Sequence, residues 1–170
     1  MNKGLIIAAG LMVAPISAWS ATYMDAEWAK GMCDAWNASA PLTDELAGKS
    51  WMDNNGNRGY KMLRIYRDKC GADSAVQLTI SAKDGKALCT YGGAPTADAM
   101  DSSMDYVMHA TDEDWNCMGA AKFGCGAMGA MMTGKLKFEG PKMEAMGVMG
   151  PFNAFLQLAD EVPGDQSKCP

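Results

Sequence analysis

The 170-residue chain has a single histidine, His109, and no C-x-x-C pair among its six cysteines. It also lacks a G-x-S-x-G elbow, a phosphate-cradling glycine loop and a histidine-rich metal cluster. Those absences leave little for a hydrolase, a nucleotide-binding enzyme, a redox dithiol or a zinc site to be built from. His109 falls on the face opposite Met104, Tyr106 and Met108, near Asp105, and reads as a solvated strand histidine. Basic residues are outnumbered, 15 Lys and Arg against 20 Asp and Glu, and are interspersed with acids, a poor surface for nucleic acid. No apolar run is long enough and well enough flanked for a good transmembrane helix, and no repeat recurs at solenoid or propeller spacing. No cofactor is implied.

Present instead is an export leader. Lys3 gives a positive start, Leu5 to Ile16 an apolar run, and Ala18-Trp19-Ser20 a small-x-small cleavage site, so residues 1–20 read as a cleaved signal peptide. Removing Lys3 leaves 14 basic against 20 acidic residues, a net of −6. All six cysteines lie beyond the leader, and an even number in an exported chain favours disulfides. Cys117 and Cys125 are the favoured pair, since a short turn between two helices brings them together. The expected location is periplasmic or secreted. The asparagine of Asn37-Ala38-Ser39 fits a glycosylation sequon, relevant only in a eukaryotic source.

The rest divides into an N-terminal helix and loop (21–58), a core (59–162) and a short tail (163–170). Trp28, Met32 and Trp36 recur every fourth position, with Ala29 and Cys33 beside them, as on a core-facing helix. Ala38 to Arg58 is polar and broken by Pro41, Gly48 and Asn54-Asn55-Gly56-Asn57, hence loop, with a helical turn after Thr43. Four strands follow: one holding Leu63 and Ile65; one alternating Val76, Leu78, Ile80 and Ala82 with polar residues; Ala87 to Tyr91 after an Asp84-Gly85 hairpin turn; and one with Met104, Tyr106, Met108 and Ala110 on one face. Thr111 caps a helix with Asp112, Glu113 and Asp114 at its positive end and Trp115 and Met118 inside. Cys125, Met128, Met131 and Met132 make a second, glycine-weakened helical stripe that Gly134 stops. A Leu136/Phe138 strand comes next. Pro141 opens a last helix as its first residue, and Pro151 breaks or kinks it. Strands first and helices after give an α+β domain, a five-stranded, mostly antiparallel sheet with helices packed on one face.

Three strings carry a family resemblance: the hairpin around Lys83-Asp84-Gly85, the strand Ser103 to Ala110 running into Thr111-Asp112-Glu113-Asp114-Trp115, and Thr133-Gly134-Lys135-Leu136-Lys137-Phe138-Glu139-Gly140. In this order they resemble a sterol carrier protein type-2 domain from about Tyr60 to Leu158. The resemblance implies a hydrophobic tunnel between sheet and helices in which sterols, fatty acyl chains or other lipids bind without chemistry. The chain departs from that family in its leader, its six cysteines and its Gly- and Met-rich Ala120 to Met132 segment.

Sixteen methionines, Met1 and Met12 in the leader, are far above ordinary usage. They fit a core of gap-filling side chains, an adaptable apolar pocket, or a Met143-Met146-Met149 copper(I) site. The methionines run on into Phe152, Phe155 and Leu156 and face the apolar side of Leu136 and Phe138, as pocket walls do. The expected binding residues are Met128, Met131, Met132, Phe138, Met143, Met146, Met149, Phe152, Phe155 and Leu156. The expected function is a non-catalytic, monomeric carrier of a hydrophobic small molecule or lipid, in transient contact with a membrane or a membrane enzyme. The alternatives are the copper(I) protein and a ligand-free accessory subunit docking on a partner.

Overall fold

A computed structural model describes residues 21–170; the leader lies outside the described residues. Helix α1 (Ala26–Ala38) starts where the Asp25 carboxylate accepts from Trp28 N, and it buries Trp28, Ala29, Met32, Cys33 and Trp36. Strands β1 (Tyr60–Arg67), β2 (Val76–Lys83), β3 (Lys86–Gly93), β4 (Tyr106–Ala110) and β5 (Lys137–Glu139) form one sheet in the order β3-β2-β1-β4-β5. Only the β1–β4 pair is parallel, with Leu63 opposite Tyr106 and Ile65 opposite Met108. The β2–β3 turn places Asp84 at φ 53° and Gly85 at φ 74°, the two left-handed residues that a two-residue hairpin requires.

Helices cover one face of the sheet, over a core that includes Leu63, Ile65, Leu78, Ile80, Tyr106, Met108 and Ala110. α1 lies directly on β3: a Cβ at Gly92 would stand 2.2 Å from Ala29 O, and Cys33–Cys89 ties the two elements. The amide of Asn37, the sequon residue, is taken up by β3, donating to Cys89 O and accepting from Cys89 N. That covers part of an edge strand's free backbone. On the sheet's other face Arg64 and Gln77 bind Thr96 and Asp98 in the long connection to β4. Two further disulfides, Cys70–Cys169 and Cys117–Cys125, fasten the C-terminal tail and the turn after α2 (Asp112–Gly119). Fully buried Arg67 donates to both Asp112 oxygens and to the Gln166 and Lys168 carbonyls, so the tail is held from inside.

Several local expectations need correcting. Met104 lies outside β4, because Asp105 turns inward to take Arg58, Met62 N and Asp101 N on its carboxylate and closes a turn there. His109 is therefore not beside Asp105: its Nδ1 meets Asp68 Oδ1 at 2.6 Å and its ring stacks on Tyr66. Helix α3 (Ala127–Thr133) buries Ala127 and Ala130, with Cys125 outside it and Met128 and Met132 exposed. The small alanines fit against α5 (Met149–Glu161), where Asn153 Oδ1 accepts from Ala127 N. Pro141 precedes α4 (Lys142–Gly147) rather than beginning it. The break before α5 (Met149–Glu161) falls at Val148, upstream of Pro151. A proline ring clashes with the carbonyl four residues back, so α4 ends at Gly147 and Pro151 sits harmlessly in the first turn of α5.

Candidate functional site

The region expected to be polar loop supplies much of the site. Pro41–Glu45 winds into a π-helical turn and Trp51–Asp53 into a 3₁₀ turn, burying Leu42, Leu46, Trp51 and Met52. Leu42 and Leu46 stand four apart, a helical spacing legible in hindsight. These turns wall a cavity whose floor is Leu63, Tyr106, Met108 and Phe138, with Trp36 beside it. Its roof is Ala145 and Val148 at the α4–α5 junction and Pro151, Phe152 and Phe155 of α5.

The lining contains an unbroken succession of rings. Trp51 stacks on Tyr106 at 5.8 Å between centroids, Tyr106 meets Phe138 edge-on at 5.3 Å, and Phe138 lies 5.9 Å from Phe152. Phe152 is 6.4 Å from Phe155, which meets Trp36 at 6.1 Å. Such contacts hold large apolar surfaces in fixed geometry. The cavity measures about 40 Å³, whereas ligand pockets generally hold roughly 300–1,000 Å³. The described conformation thus leaves only a small, partly open void. A wider groove of about 410 Å³ runs between α1 and α5, walled by small and polar side chains such as Ala35, Ser39, Gln157 and Glu161.

Behind two of the lining rings, Trp51 and Tyr106, sits a polar cluster that lies outside the lining itself. Lys61 takes the place in β1 that alternation with Leu63 and Ile65 gives to a core residue, and it is fully buried. Its Nζ donates to Trp51 O at 3.2 Å and to Glu144 Oε1, and lies 4.4 Å from the Trp51 ring centroid and 5.1 Å from that of Tyr106. Tyr106 OH donates to the same Glu144 oxygen and accepts from Trp51 Nε1 at 2.8 Å; Asn54 Nδ2 donates to Glu144 Oε2 at 2.6 Å. Burial lowers the Lys61 pKa, and the Glu144 carboxylate beside it offsets that only in part. Burial, and then the same carboxylate, raise the Tyr106 pKa, so the phenol stays a neutral donor. A charged residue in register with two core residues was the available signal for this cluster.

Of the ten residues expected to bind, Phe138, Phe152 and Phe155 come together in the cavity wall, and Leu156 is buried outside the lining. Met131 and Met149 pack half-buried against the core. Met143 and Met146 lie on the outer side of α4, and Met132 is 80% exposed. No methionine of the ten lines the void. The copper(I) stripe is interrupted as well, since Met143 and Met146 belong to α4 and Met149 to α5. Sequence periodicity across residues 143–149 assumed one continuous helix, which Pro151 forbids.

A search of the curated proteins found no match. Among solved structures, the crystal structure of a sterol carrier protein 2 superposes with a TM-score of 0.52 at 17% identity, covering 82% of this chain and 98% of that one. A solution structure of a conserved hypothetical protein from Thermus thermophilus gives 0.49 at 18% identity, with 88% and 96% covered. The sterol carrier protein domain 2 of Helicoverpa armigera gives 0.44 at 22%, with 81% and 94% covered. At such identities the first of these speaks for the fold alone. The family model of SCP-2 sterol transfer proteins matches residues 54–153, from the turn that carries Asn54 through five strands to the α5 wall of the cavity. This chain therefore belongs to the SCP-2 sterol transfer family.

Proposed function

We propose that the protein is an exported, non-catalytic carrier that takes one hydrophobic molecule, a sterol, fatty acyl lipid or similar amphiphile, between the sheet and α4–α5. The observation that carries this reading is the continuous aromatic lining, from Trp51 through Tyr106, Phe138, Phe152 and Phe155 to Trp36, under a roof made of a short helix and its junction. Burying apolar surface contributes about 25 cal/mol per Å², so ~300 Å² of chain or ring yields roughly 7 kcal/mol before the costs of association. The 40 Å³ void must widen to admit such a ligand. α4 is the element to move: it is six residues long and bounded by Gly140-Pro141 on one side and non-helical Val148 on the other. Outward movement brings Met143 and Met146 to the mouth, where flexible thioethers suit a passing chain. Three disulfides among the described residues suit an oxidising compartment, in keeping with residues 1–20 as a cleaved leader.

Trp36 and Trp51 in the wall provide the test. A brominated fatty alcohol titrated into the protein is expected to quench tryptophan fluorescence saturably at about one ligand per chain, as a single site requires. The doubly substituted Trp36→Phe/Trp51→Phe protein, shown to be folded, should lose most of that quenching. Quenching that is linear without saturation, or unchanged in the double variant, would place the ligand elsewhere or nowhere.

A further inference from the structure

The polar cluster behind the Trp51 and Tyr106 rings says more about the ligand than the apolar wall does. Lys61 is an ammonium with no exposed surface, seated against two rings that line the void, and the carboxylate that neutralises it comes from the movable roof. Glu144 reaches it from α4 together with Ala145, so an outward swing of α4 opens the cavity and withdraws Glu144 in one motion. The swing leaves Lys61 without its ion-pair partner, Asp105 being engaged with Arg58, and takes their acceptor from Tyr106 OH and Asn54 Nδ2. An uncompensated buried charge is strongly unfavourable, so the open state needs a replacement anion.

We infer that Lys61 and Tyr106 form a head-group site for an apolar chain ending in a carboxylate, and that Glu144 is the chain's own carboxylate occupying that site while α4 is closed. This rests on the carrier reading above and narrows its ligand class. Two donors converge on Glu144 Oε1, Lys61 Nζ and Tyr106 OH, the arrangement a ligand carboxylate oxygen would inherit. The raised pKa of Tyr106 keeps that hydroxyl able to donate. A ligand carboxylate in Glu144's place restores the lost pairing while its alkyl chain fills the space α4 has vacated. A neutral ligand of equal length gains only the apolar contacts. Preference for the acid over its alcohol is thus the signature of the site.

The test compares dodecanoate with 1-dodecanol by calorimetric titration of the mature chain. Wild type is expected to bind the acid roughly tenfold or more tightly than the alcohol, the size of one charge-assisted hydrogen-bonded contact. In Lys61→Met that ratio should fall to within about twofold, the alcohol gaining no comparable disadvantage. In Glu144→Gln, which removes the competing charge, the ratio should rise by about fivefold. Equal binding of acid and alcohol to wild type, or a preference that survives Lys61→Met, would overturn the head-group site while leaving the carrier reading in place. Failure of both ligands to bind would overturn the two together. Should Lys61→Met not fold, the Glu144→Gln ratio decides alone, and no rise in it refutes the inference.

Discussion

Replacing Glu144 by alanine isolates the ion pair as a stability term. Lys61 would keep one hydrogen bond, to Trp51 O, and the faces of two rings, but no ion-pair partner, since Asp105 acts on it only at a distance and is itself paired with Arg58. Tyr106 and Asn54 would lose an acceptor as well. Removing one partner of a buried pair generally costs 3–5 kcal/mol; Glu144 keeps 18% of its side chain in solvent, so the lower end, about 3 kcal/mol, applies. That reduces the folded-to-unfolded ratio by roughly a hundredfold. The double variant Lys61→Met/Glu144→Ala should return to within about 1 kcal/mol of wild type, because removing both charges together leaves neither one unpaired in the fold. The pH dependence has a definite sign. A lysine whose folded pKa is lowered is penalised while charged, and the penalty is relieved as pH rises from that lowered pKa toward the ordinary 10.5. Without Glu144 the lowering deepens, so Glu144→Ala should recover toward wild type between neutral and alkaline pH. Urea unfolding followed by far-ultraviolet circular dichroism at two pH values measures all of this. A cost for Glu144→Ala under about 0.5 kcal/mol, or strict additivity in the double variant, would refute a buried, coupled pair.

Phe155→Ala should destabilise the fold by about 3–5 kcal/mol, since the ring is buried between Trp36 and Phe152, and thermal melts check it. Met143→Ser, on the outer side of α4, should stay within about 0.5 kcal/mol of wild type in the same assay. Opening Cys70–Cys169 by a double serine substitution frees a separation of 99 residues and should cost about 4–5 kcal/mol, read by urea unfolding. The hydrogen bond from Arg67 holds the Asp112 carboxyl below its ordinary 3.8, so its contribution is complete above that value and disappears as pH falls through the lowered pKa. Asp112→Asn should therefore lower stability at neutral pH and flatten the acid limb of the stability profile.

The sheet was legible because alternation in β1, β2 and β4 and the Asp84-Gly85 turn are local signals with a single mechanical meaning. The parallel β1–β4 pairing was not, because register between strands that are distant in sequence depends on what lies between them, here the connection anchored by Arg64 and Gln77. At the site, Phe138, Phe152 and Phe155 were visible as an apolar run. Trp36 was read only as core, and Leu42, Leu46 and Trp51 were hidden in a stretch whose polar residues and glycines outvoted them. For the methionines, helical spacing says which residues share a face, not which face turns inward. In α3 that choice went to Ala127 and Ala130, whose small size lets the helix sit against α5. Lys61 carried a signal that went unused: a lysine in phase with Leu63 and Ile65 must have a partner inside, and Glu144 is 83 residues away.

The most direct test of the central claim is native mass spectrometry of the protein after incubation with a mixed lipid extract, repeated after solvent extraction and with elemental analysis. The account predicts a one-to-one complex with a hydrophobic molecule, released by solvent, and weakened in a folded Phe155→Ala variant. A protein that stays ligand-free in the presence of lipid, or that carries copper in its place, would contradict it.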